Sequence, residues 1–86
     1  MKYEIQIKRA LITDNKKTFR IGDDIKFNIL NKETNYHDMY IGEIKEITDT
    51  TITIKRIEIN RNKIGGEMVI ALDDIESNSC NYVYVD

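Results

Sequence analysis

The chain has 86 residues and a formal net charge of −2, with 41% hydrophobic and 33% charged residues. That length allows one domain, residues 1–86, and one modest core. The net-negative balance weighs against non-specific nucleic-acid binding, and no apolar run approaches the roughly 18–20 residues that cross a bilayer.

"KYEIQIKRALI" opens with Tyr3, Ile5 and Ile7 on one face and Lys2, Glu4, Gln6 and Lys8 on the other, as in a half-buried strand. The alternation slips at Arg9–Ile12, as a bulge or bend would cause. The same alternating start is no signal-peptide core, so a cytoplasmic protein is expected. "TDNKKT" then reads as a polar loop tip.

"TFRI", "GDD" and "IKFNIL" follow as strand, turn and strand. Gly22 supplies the backbone freedom of the turn, and Asp23 and Asp24 are turn-formers. Adjacent strand residues point to opposite faces, so these two carboxylates diverge and make no metal or catalytic pair. "NKETNYHD" reads as a second loop, with His37 solvated in it beside Asp38.

In "MYIGEIKEIT", Ile41, Ile44 and Ile47 recur every three residues, which hints at a helix. Gly42 and the threonines that follow argue for a strand, with a bulge near Gly42–Glu43. "TITIKRIEIN" is the strongest strand signal. Ile52 and Ile54 share one face and Ile57 and Ile59 the other, which predicts a strand that crosses from one sheet to the next. "RNKIGG" is a loop and "EMVIAL" a strand. "DDIES" fits at most one short helical turn near residues 73–77, capped by Asp73 or Asp74, with Ile75 inward. "NYVYVD" is the closing strand, whose free edge would allow a weak dimer.

Sixteen isoleucines, with threonine, valine and tyrosine, fit a pleated and half-buried surface. The absence of proline with abundant Ile, Lys and Asn fits an AT-rich bacterial or phage genome. The sum is all-β: five to six short antiparallel strands, most economically a bent small barrel, because closure removes exposed edges.

Four fragments, in order, resemble the Src-homology-3 (SH3) barrel. "ALITD" (10–14) stands where that family has Ala-Leu-Tyr-Asp-Tyr. "FRIGDDIKF" (19–27) looks like its Phe-x-x-Gly-Asp-x-Ile/Leu segment. "YIG" (40–42) is similar to its Trp-x-Gly, and "SCNYV" (79–83) to its Pro-Ser-Asn-Tyr-Val. The resemblance implies an SH3-like small β-barrel of the bacterial or phage type. The family's proline-rich-peptide groove needs aromatics and a proline that this chain replaces or lacks: Ile12 stands in the first motif and Tyr40 for the tryptophan. Asp14 matches a loop acid and Tyr82 the late tyrosine.

No metal-ligand spacing, phosphate loop or nucleophile motif accompanies His37 or the single cysteine, Cys80, which reads as a small buried hydrophobe. The expectation is therefore no enzyme and no cofactor, but an interaction module for a protein or peptide partner. Its contacts would come from Asp14, Tyr36, Tyr40, Tyr82 and Tyr84. Tyr82 and Tyr84 share one strand face and Val83 and Val85 the other; the tyrosines reach the surface if the valines are inside. The alternative is a nucleic-acid face built from Lys16, Lys17 and Arg20 in the first loop and Arg56, Arg61 and Lys63 in the late hairpin.

Overall fold

The computed structural model describes residues 1–5 and 10–83. Among the described residues nine strands run in chain order: β1 (Tyr3–Ile5), β2 (Leu11–Thr13), β3 (Thr18–Phe19), β4 (Asp24–Asn31), β5 (Tyr36–Ile47), β6 (Thr51–Ile59), β7 (Asn62–Lys63), β8 (Glu67–Ala71) and β9 (Asn81–Tyr82). The one helical element among the described residues is the 3-10 turn Leu72–Asp74. No helix there is long and apolar enough to cross a membrane.

β1, β2 and β3 form a small antiparallel sheet. The larger sheet has the order β7-β6-β5-β4-β9, with β8 also on β6. All its pairings are antiparallel, and among the described residues neither sheet closes on itself. Alternation fixes the inner face. Ile25 and Phe27 of β4 point inward with Ile52 and Ile54 of β6. Leu11, Phe19, Ile44, Ile47, Ile57, Ile70, Leu72, Ile75 and Cys80 complete the core.

Two bulges shape the central strands. β5 pairs Ile44 with Ile54 but Glu46 with Thr53, so Lys45 is an extra residue on β5. That insertion resets the alternation and turns both Ile44 and Ile47 inward. The three-residue spacing of isoleucines thus comes from a bulged strand, not a helix. β5 also pairs Ile41 with Glu58 but Glu43 with Lys55. Beside Gly42–Glu43 the extra residue therefore belongs to β6, at Arg56, whose φ is 55°.

This second bulge corrects the expected phase switch of β6. The strand does not pass to another sheet. Ile57 returns to the inner face with Ile52 and Ile54, and Ile59 packs against the same core. Only the outer neighbour changes, from β8 along residues 51–55 to β7 at 58–59.

The turns hold two more corrections. The "NKETNYHD" loop is shorter than expected, because β5 begins at Tyr36 and carries His37 and Asp38 as strand residues. Neither Asp73 nor Asp74 caps the 3-10 turn through its side chain. The Leu72 N–H instead donates to the Thr50 carbonyl, 2.9 Å away. Ile75 is buried, as its place in the sequence predicts.

At the turn into β4, Gly22 has a φ of 97° and the Asp23 carboxylate accepts the Arg20 N–H at 2.7 Å. Asp23 is thus a turn-former, while Asp24, expected in the turn, is the exposed first residue of β4.

Candidate functional site

Tyr40 lies opposite Phe27 in the β4–β5 register, and directly opposed residues share a face. Their rings stack with centroids 5.7 Å apart at 7°. Tyr82 lies opposite Ile25, and its ring packs 4.4 Å from that of Phe19. Both tyrosines are half-buried on the inner side. Of the Val83-inside and tyrosine-inside alternatives, the structure takes the second: Val83 faces outward. Tyr36 is 74% exposed at the start of β5, on a two-stranded ribbon that β6, ending opposite Tyr40, does not reach. Tyr84 lies outside the described residues. The expected tyrosine surface is therefore divided, because Tyr40 and Tyr82 are spent on the core.

Asp14 is drawn into a clasp between the β2–β3 turn and the loop before β9. Its carboxylate accepts the Asn78 N–H at 3.1 Å. Desolvation works to raise its pKa, but the accepted hydrogen bonds, led by those from Asn78 and Ser77, outweigh it and hold the group below the usual aspartate range. Asn15 donates to the Cys80 carbonyl at 2.8 Å, and Lys17 to the Asn81 side chain.

The basic residues fall into two groups. Lys16 and Lys17 occupy the β2–β3 turn, and Arg20 opens the turn into β4. Lys17, through Asn81, belongs to the β9 end of the large sheet. Arg61 and Lys63 belong to the β7 end, four strand spacings away, or about 19 Å along the sheet.

The outer face of the large sheet carries a site that sequence reasoning missed. Alternation places Asn81, Lys26, Ile41, Glu58 and Lys63 in one row across five strands. Beside it runs a second row: Asp24 opposite Glu43, Glu43 opposite Lys55, and Lys55 opposite Glu67. A groove of about 510 Å³ lies over Ile41 and Val83, rimmed by Asp24, Glu43, Glu58, Arg56 and Lys63.

Like charges directly opposite on neighbouring strands destabilise a sheet, and Asp24 and Glu43 are such a pair. The β6 bulge answers this. As the extra residue, Arg56 has its side chain aimed at both carboxylates: it is hydrogen-bonded to Glu43 and lies 3.9 Å from Asp24. Lys55 completes the cluster, 3.0 Å from Glu43. Its hydrogen bond is the first cause that holds the Glu43 carboxyl below the usual glutamate range, and Arg56 reinforces it. The sequence signals for this site were the bulge expected near Gly42–Glu43 and the break in the isoleucine alternation around Lys55–Arg56.

The remaining singled-out groups have local roles. His37 Nδ1 lies 2.6 Å from a Glu76 carboxylate oxygen, on the surface. The Cys80 thiol is fully buried and pushed up to about 12, first by burial and then by the charge of Asp14. Among the described residues no group of three or more His, Cys, Asp or Glu is placed to hold a metal ion. Compared with protein-family models, with curated proteins and with solved structures, the chain finds no significant match.

Proposed function

We propose that this chain is a non-catalytic interaction module of SH3-like architecture that binds an extended peptide segment of a protein partner. The architecture is supported by the order of elements: a turn at Gly22–Asp23, a three-strand meander of β4, β5 and β6, a 3-10 turn, and a last strand returning to β4. The binding reading rests on the outer-face groove. Its volume lies within the roughly 300–1,000 Å³ of small-ligand sites. Its floor, Ile41 and Val83, takes an apolar side chain, and its rim offers both signs of charge to the peptide on either side. Nucleic acid is the less favoured partner, because Arg56 is already engaged by two carboxylates and, of the other cations expected to form that face, Lys17 lies at one end of the sheet and Arg61 and Lys63 at the other.

Selection from a random peptide library, with Ile41→Lys as the counter-selected variant, tests this. Ile41 is on the outer face, so the substitution leaves the core intact. Enriched peptides should bind the natural chain and lose binding to the variant, with amide shifts centred on Ile41, Glu58 and Val83. No enrichment, or enrichment indifferent to position 41, overturns the reading. A single-stranded oligonucleotide that shifts Lys16, Lys17 and Arg20 and is released by salt would replace it with the nucleic-acid reading.

A further inference from the structure

We propose that two copies of this chain associate through β8, strand to strand, about a two-fold axis at Val69. This goes beyond the groove, none of whose side chains it uses.

Among the described residues β8 pairs with β6 alone. The hydrogen bonds flanking it fix which groups point where. The Leu72 N–H donates to Thr50, and the Arg56 N–H donates to the Gly66 carbonyl. Antiparallel ladders alternate, so even-numbered residues of β8 turn their N–H and C=O toward β6. Glu67, Val69 and Ala71 turn theirs away, along an edge that no described residue pairs.

Among the described residues the other strand ends of the large sheet are blunt. β7 has two residues, one of them a lysine, and β9 has two. β8 has five, "EMVIA", with no lysine, no proline and a regular register to β6. It lacks the devices by which natural sheets discourage edge pairing, apart from the single charge of Glu67. Val69 is 64% exposed, and its neighbour across the ladder is Thr53, not a charge.

The edge is self-complementary, and this selects a second copy as its occupant. The outward residues are an odd number centred on Val69. A two-fold axis there sets Val69 against Val69 of the second copy and Glu67 against Ala71 of the second copy. Each opposed pair exchanges two backbone hydrogen bonds, about six in all, and no like charges meet. Such an isologous contact closes at two and does not propagate.

Sedimentation equilibrium of the full chain up to about 1 mM tests the proposal. The natural chain should show a concentration-dependent dimer. Val69→Pro removes an N–H that points away from β6, so the intrachain ladder survives and the dimer is lost. Val69→Lys keeps the N–H and brings two ammonium groups opposite one another, weakening the dimer about tenfold or more. The second variant decides the matter if the first fails to fold. A natural chain that stays monomeric throughout overturns the proposal, as does a dimer that Val69→Lys leaves unchanged.

Discussion

Gly42 of β5 lies directly against Ile54 of β6. A Cβ built at position 42 stands 2.9 Å from the Ile54 Cβ and 3.2 Å from the Lys55 carbonyl oxygen. Neither atom is the free end of a flexible side chain, so relief requires the backbones to part. Gly42→Ala should therefore destabilise the fold by about 2 kcal/mol, as overpacking does. A lower urea midpoint with an unchanged slope is the expected result. The bulge on β6 would widen as the strands separate, so the contacts of Arg56 with Glu43 and Asp24 should weaken in the same variant.

Those contacts give a second prediction. The Glu43 carboxyl is held below its ordinary value of 4.5 by Lys55 first and then by Arg56. A carboxylate whose folded pKa is depressed contributes stability that is present above the unfolded value and lost as pH falls through the folded one. The contribution of Glu43 should thus fade below pH 4.5. In a carboxyl NMR titration, Lys55→Gln should raise the Glu43 midpoint more than Arg56→Gln does. Both rises should shrink at high salt, because the cluster is open to solvent.

The tyrosines separate by what they touch. Tyr82 packs its ring on Phe19, while Tyr36 is largely solvated. Tyr82→Ala should cost about 2 kcal/mol, less than full aromatic burial because the residue is only half-buried. Tyr36→Ala should change stability by no more than about 0.5 kcal/mol. Thermal unfolding of the two variants checks both. Equal losses would mean that Tyr36 is packed in solution.

What was legible in the sequence was local. The Gly22–Asp23 turn, the all-β character and the inward Ile75 each follow from a residue and its immediate neighbours. The faces were harder. A period of two says that Tyr82 and Val83 oppose one another but not which is inside; the Phe19 ring decides that from another strand. The bulges were harder still. Ile52, Ile54, Ile57 and Ile59 read as two faces because the extra residue, Arg56, is defined only by its pairing with β5. The outer charge cluster depends on that same bulge, so no scan of spacing along the chain would assemble Asp24, Glu43 and Arg56.

Cys80 supplies the last prediction. Its thiol is pushed from 9.0 to about 12, chiefly by burial, so the folded chain keeps it protonated where the unfolded chain does not. Stability from this group is whole below pH 9.0 and is lost as pH rises toward about 12. Comparing the natural chain with Cys80→Ala isolates the effect from the tyrosines and lysines that titrate in the same window. The variant should lose less stability between the two pH values. Alkylation at pH 8 should label Cys80 only after denaturant is added, since both access and thiolate are denied in the fold. Rapid labelling of the native chain would place the thiol at the surface and remove Cys80 from the core between the Asp14 clasp and β9.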